Sequence, residues 1–141
     1  MSEVKYIKKY NLDIPSWSDI IENLNKSNMN NEIIKNLTPG FFVAHNADRI
    51  EKVRLVCEDL DCKVAHSYIN VLQSSRTFGS HKDTMDVKFW QGEGMTKWIV
   101  GGDKEYTLFP GDLIIIPKGV YHNVIPLTPR FGISMSEAQK Q

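Results

Sequence analysis

The sequence predicts a mainly β fold, a small antiparallel barrel or sandwich preceded by a helical segment. Three observations carry that expectation. After Cys62 the chain is a succession of short runs rich in Val, Ile, Tyr, Phe and Trp: KVAHSYINVLQ, DVKFWQ, TKWIV, EYTLF, DLIIIP, YHNVIPL and RFGISMS. Gly, Asp, Pro or Ser bounds each run, and these residues turn a chain between strands. No helical pattern lies among the runs, which argues against a parallel sheet built from strand–helix–strand units.

At 141 residues the chain is the size of one domain. The texture divides it into a helical N-terminal segment, 1–61, and a barrel, 62–137, on which that segment packs. Its 17 basic and 17 acidic residues balance, so no basic face is implied and nucleic-acid binding by charge is not expected. The opening MSEVKYIKKYNLD lacks the apolar core of a signal peptide, and no apolar run reaches membrane-spanning length. A soluble, cytoplasmic protein without a membrane partner is the expectation. Cys57 and Cys62 match neither a zinc knuckle nor a CxxC redox site, so both are read as reduced and structural.

In the N-terminal segment, Trp17, Ile20, Ile21 and Leu24 follow helical spacing, with Pro15 before them and Ser16 and Asp19 placed as a capping box. KSNMNN breaks that helix. Ile33, Ile34 and Leu37 suggest one short turn ended by Thr38-Pro39-Gly40. A second helix is expected from about residue 47 to 60, with Ile50, Val53, Cys57 and Leu60 on one face and Asn46 as its cap.

The most specific stretch is GDLIIIPKGVYH, residues 111–122. Gly111 and Asp112 make a tight entry turn, and LIII reads as a strand buried on both faces. Pro117 ends that strand because it cannot donate to the ladder. Gly119 permits a positive-φ turn, and the chain re-enters as a strand with His122 near its start. The spacing resembles the second conserved motif of the cupin superfamily. It departs from that motif at the last position, where the family usually has Asn and this chain has Pro126. The resemblance implies a double-stranded β-helix, the cupin or jelly-roll barrel.

His81 and Asp83 stand two positions apart, so in a strand both would face the barrel interior. An HxD pair with a distal His is the pattern of the 2-His-1-carboxylate facial triad. No Glu follows at the cupin spacing; Asp86 is the nearest acid. The run HKDTMDVKFWQGEGMTKWIV, then PGDLIIIPKGVYH, resembles the JmjC-like branch of Fe(II)/2-oxoglutarate-dependent dioxygenases. The resemblance extends over roughly residues 68–135 and includes a Q-x-x-G turn at Gln91 and Gly94. It implies Fe(II) held by His81, Asp83 and His122 as metal ligands and catalytic residues. It further implies 2-oxoglutarate as cosubstrate and hydroxylation of an unactivated C–H bond of an unknown prime substrate.

The cosubstrate's distal carboxylate needs a cation. In many JmjC-like proteins a Lys lies two residues after the Gly of the Q-x-x-G turn, and here that position is Thr96. Lys97 follows it and should point the opposite way. Arg130, eight residues past His122, is the favoured cation and Lys97 the second choice. Tyr68 and Asn70 alternate in an earlier strand and offer hydrogen bonds to the cosubstrate. His45, His66, Trp90 and Trp98 read as structural, and GEGMTK lacks the spacing of a phosphate loop. Two rival readings stand: a metal cupin that works without 2-oxoglutarate (another dioxygenase or an isomerase), and a non-catalytic small-molecule-binding cupin. A homodimer through the helices or a sheet edge is compatible with the sequence.

Overall fold

A computed structural model describes residues 3–32, 34–72 and 76–137. Among the described residues the strands are β1 (Lys5–Ile7), β2 (Ile34–Thr38), β3 (Phe41–Ala44), β4 (Val64–Asn70), β5 (Val87–Gln91), β6 (Thr96–Val100), β7 (Lys104–Leu108), β8 (Leu113–Ile116), β9 (His122–Pro126) and β10 (Arg130–Ser136). The helices are α1 (Trp17–Met29) and α2 (Glu51–Asp59), the latter preceded by a 3₁₀ turn, Ala47–Arg49. The strands form a seven-stranded sheet, β1-β8-β5-β10-β4-β3-β2, and a three-stranded sheet, β7-β6-β9. Every pairing is antiparallel. This is the mainly β jelly-roll barrel that the sequence predicts.

Alternation along the strands gives the larger sheet two buried faces. Phe131, Ile133 and Met135 of β10 join Trp90 of β5 and Leu113 of β8 in a core shared with Ile20 of α1 and Val53, Val56 and Cys57 of α2. Phe89, Ile114 and Ile116 point the other way and meet Trp98, Val100 and Leu108 between the sheets. Arg130 and Ser134, at the alternate positions of β10, line a cavity on that same inner side. Gly132 lies between them because a Cβ there would come within 2.3 Å of the Phe89 ring. The smaller sheet and the inner face of the larger one therefore hold the site between them.

The N-terminal segment differs from its expected helical form. It contributes three strands as well, with β1 on one edge of the large sheet and β2 and β3 on the other. Residues 34–38 are extended and pair with β3, where the spacing of Ile34 and Leu37 suggests a turn of helix; Ile33 lies outside the described residues. The reason is tertiary: β3 docks on β4 in register, Phe41 to Asn70 and Val43 to Tyr68, and β2 then pairs with β3.

Helix α1 starts as expected. Asp19 N–H donates to Ser16 Oγ, and Ser16 N–H donates to Asp19 Oδ2, both at 3.1 Å. Trp17 meets Phe131 edge-to-face at 5.0 Å, but Ile21 faces solvent and drops out of the predicted stripe. Asn46 does not cap α2. It adopts a left-handed conformation with φ 58, and its side-chain amide donates to Glu32 while Ile50 takes the cap position. Asp112 does more than make a turn. Its carboxylate accepts from Tyr6 O–H at 2.8 Å and from Lys9 N–H at 2.9 Å, tying β1 onto β8. Cys57 and Cys62 are buried and unpaired, and burial pushes the Cys57 thiol up to about 12.

Candidate metal centre and anion pocket

The HxD pair is not on a strand, contrary to expectation: β5 begins at Val87. His81 is instead an isolated antiparallel bridge to His122. Its N–H donates to His122 C=O at 3.0 Å, and His122 N–H donates back at 2.8 Å. The turn after β8 holds the rest of the HxD loop. Gly119 N–H donates to Asp83 C=O at 2.9 Å, and Lys118 N–H donates to Asp86 Oδ1 at 2.8 Å. Lys118 and Gly119, legible in the sequence only as part of a turn, thus also hold the Asp83–Asp86 loop in place.

The candidate ligand atoms of His81, Asp83 and His122 all lie within 4.8 Å of one another, and His122 Nε2 is 3.4 Å from Asp83 Oδ2. Both imidazoles are oriented from behind. His81 Nδ1 lies 2.9 Å from Gly79 C=O, and His122 Nδ1 lies 3.1 Å from Val120 C=O. A carbonyl only accepts, so each Nδ1 carries a proton, and in the neutral ring Nε2 then presents a lone pair. Two such lone pairs converging with a carboxylate are mutually repulsive until a cation joins them. The set fits a divalent metal ion with nitrogen and oxygen preference, Fe(II) among them. The stacked Trp98 indole, 5.8 Å from the His122 ring at an interplanar angle of 21°, shields the centre on one side.

These residues open on a small cavity of about 30 Å³. Its walls include Tyr68, Phe78, Phe89, Val124, Arg130 and Ser134. Arg130 is 1% exposed. Its Nε donates to Asn70 Oδ1 at 2.8 Å, from the residue directly opposite in the β4–β10 register, and the Phe89 ring lies 5.8 Å from the guanidinium. Nη1 has no hydrogen-bond partner among the described residues. Burial pushes this guanidinium down from its ordinary range. An arginine keeps its proton at neutral pH, so a buried positive charge with an unused donor faces the cavity. A carboxylate fits it.

Tyr68 shares this space. Burial, then the charge of Asp83, pushes its phenol up to about 12, so its hydroxyl stays protonated and able to donate. The structure brings His81, Asp83, His122, Tyr68 and Arg130 to one cavity, with Asn70 one hydrogen bond behind. It does not bring Thr96 or Lys97 there. Thr96 is buried and knits the Q-x-x-G turn, its hydroxyl donating to Gln91 Oε1 at 3.0 Å and accepting from Trp98 Nε1 at 3.1 Å. Lys97 lies on the outer face, paired with Glu105 at 3.5 Å, because neighbours in a strand point to opposite sides. Phe78 and Ser134 are cavity residues that sequence reasoning missed. Ser134 carried a signal, since it lies at an even offset from Arg130 in one strand; Phe78 carried none.

No family model and no curated protein matches the chain. Solved structures do. The ribosomal oxygenase YcfD from Escherichia coli, in complex with cobalt and 2-oxoglutarate, superposes with a TM-score of 0.76 at 16% identity, covering 99% of this chain and 49% of that one. Salicylate 1,2-dioxygenase from Pseudoaminobacter salicylatoxidans, with gentisate, gives 0.56 at 12% identity over 87% of this chain and 32% of that one. KdgF from Halomonas sp. gives 0.54 at 17% identity over 78% of this chain and 90% of that one. The chain spans about half the length of YcfD. Two antiparallel sheets and these superpositions agree on the architecture: the chain has the jelly-roll barrel fold of those structures.

Proposed function

We propose that this chain is a metal-dependent oxygenase of the JmjC-like cupin type, using Fe(II) and 2-oxoglutarate to hydroxylate a substrate. One observation carries the reading: a His-Asp-His set and a fully buried arginine with an unused Nη1 donor occupy the same cavity. A metal alone explains the first half and a carboxylate the second. A ligand with a metal-binding end and a distal carboxylate accounts for both. That YcfD was solved with cobalt and 2-oxoglutarate supports the choice.

His81, Asp83 and His122 would hold the metal, which when bound supplies the redox chemistry that activates O₂. Every other contribution belongs to the chain. Gly79 and Val120 carbonyls fix the imidazole tautomers. Arg130 receives the cosubstrate's distal carboxylate and exchanges an unsatisfied donor for a charge-assisted bond. Tyr68 offers a hydroxyl along the cavity wall, and Phe78, Phe89, Trp98 and Val124 keep water from the reacting end.

Anaerobic titration with Fe(II), with and without 2-oxoglutarate, tests this reading. A visible charge-transfer band that needs both components, and that the Arg130→Met variant develops only at much higher cosubstrate concentration, is the expected result. Iron uptake that 2-oxoglutarate leaves unperturbed would instead favour a cupin enzyme independent of that cosubstrate.

A further inference from the structure

Because the HxD pair lies off any β ladder, more than a sheet must fix the direction of the His81 imidazole. Residues 76–79 cross from the end of β4 to His81 and touch each part of the site. Arg76 C=O accepts from Thr38 Oγ1 at 3.2 Å and from Asn70 Nδ2 at 3.4 Å, and the same Asn70 holds the Arg130 guanidinium through its oxygen. Thr77 Oγ1 donates to Val124 C=O at 2.7 Å, anchoring the segment on β9 two residues from His122. The Phe78 ring meets His81 edge-to-face at 5.7 Å, with Phe41 and Tyr68 behind it at 5.5 and 5.8 Å. Gly79 then turns with φ +81 and presents its carbonyl to His81 Nδ1.

Phe78 is nonetheless 43% exposed. The ring lines the cavity and lies against a candidate ligand. We infer that Phe78 is a positioning residue for the His81 imidazole, and that residues 76–79 form a strap joining the metal ligands to the Arg130 subsite; this rests on the metal-centre reading above. The Phe78 ring blocks rotation of the imidazole on its open side, while the Gly79 carbonyl holds it from behind. Side chains that orient a metal-bound histidine from outside the ligand set affect metal affinity without touching the ion. Through Asn70 the strap also shares an anchor with Arg130, so disturbing it reaches both ends of the cavity.

Co(II) titration, followed by visible absorption on folded protein, tests the inference with no turnover required. Phe78→Leu keeps apolar volume but removes the ring edge, and should weaken Co(II) binding about ten- to a hundredfold. Phe78→Tyr, which keeps the ring, should stay near wild type. Gly79→Ala strains the positive-φ turn and should weaken binding as Phe78→Leu does, although an added methyl there meets nothing within 4 Å. Val53→Ala, in the core beside α2, gives the effect of lost stability alone and should leave the affinity of the folded protein unchanged. Wild-type affinity in both Phe78→Leu and Gly79→Ala would overturn the positioning role and leave the metal centre standing. A wild-type protein that takes up no Co(II) would overturn the metal centre, and this inference with it.

Discussion

Arg130 and Asn70 face each other across the β4–β10 register, and the guanidinium Nε donates to the amide oxygen at 2.8 Å. Among the described residues that bond is the hydrogen bond found for a cation that is 1% exposed, and its Nη1 has none. The arrangement costs stability and makes sense as preparation for an anion. Replacing Arg130 with Met should therefore stabilise the ligand-free protein, by roughly 1–3 kcal/mol, since apolar replacement of buried charge is often favourable. On the proposed function, 2-oxoglutarate should raise the melting temperature of the wild type and not that of this variant. Thermal melts with and without 2-oxoglutarate check both halves. A less stable Arg130→Met that still responds to the ligand would contradict the anion-pocket assignment.

Gly94 turns with φ +88, and a Cβ there would lie 2.2 Å from Pro129 C=O and 2.7 Å from Arg130 Cβ. Gly94→Ala is expected to cost about 1–3 kcal/mol through that strain. It should also displace the start of β10, weakening 2-oxoglutarate binding more than metal binding. Paired titrations of the two ligands measure the ratio.

The stacked pair of Trp98 and His122 supplies an optical handle. Metal binding at His122 should alter the emission of Trp98 by changing the charge on the adjoining ring. Trp90, buried on the helix side with its Nε1 donating to Asn11 C=O, should not respond. Trp98→Phe should abolish the metal-dependent fluorescence change and Trp90→Phe should keep it, which emission titrations of the two variants decide.

Alkaline stability follows from groups held neutral. Burial, then the bond to Asp112 and its charge, pushes the Tyr6 phenol from 10.0 to about 12, and burial pushes the Cys57 thiol from 9.0 to about 12. Within those windows the unfolded chain has released protons that the folded chain keeps. Stability is therefore full below pH 9 and falls as pH rises toward about 12. Tyr6→Phe should cost about 1 kcal/mol at neutral pH through the lost hydrogen bond, and should flatten the alkaline fall. Denaturant midpoints across that range give the slope.

Legibility in the sequence followed the range of the interactions. GDLIIIPKGVYH could be read residue by residue because each member acts on its own backbone: Gly111 and Gly119 with positive φ, Pro117 as a strand stop, His122 as the next strand's first residue. The Ser16–Asp19 box is equally local. Strands β2 and β3 were hidden because IKNLT and FFVA are short and owe their form to pairing with one another and with β4. His81 and Asp83 were found by spacing, although a bridge and a turn place them rather than a ladder. Arg130 could be nominated as a cation, but only the three-dimensional register shows Asn70 beside it. Phe78 and the strap depend on contacts with Thr38, Val124 and His81, which no spacing in one chain encodes.

The central claim is that His81, Asp83 and His122 grip one divalent cation, and equilibrium dialysis against Fe(II) under anaerobic conditions measures it most directly. The wild type should retain a single ion per chain, whereas Asp83→Ala and His122→Ala, still folded by circular dichroism, should retain essentially none. Undiminished iron in those two variants would contradict the assignment.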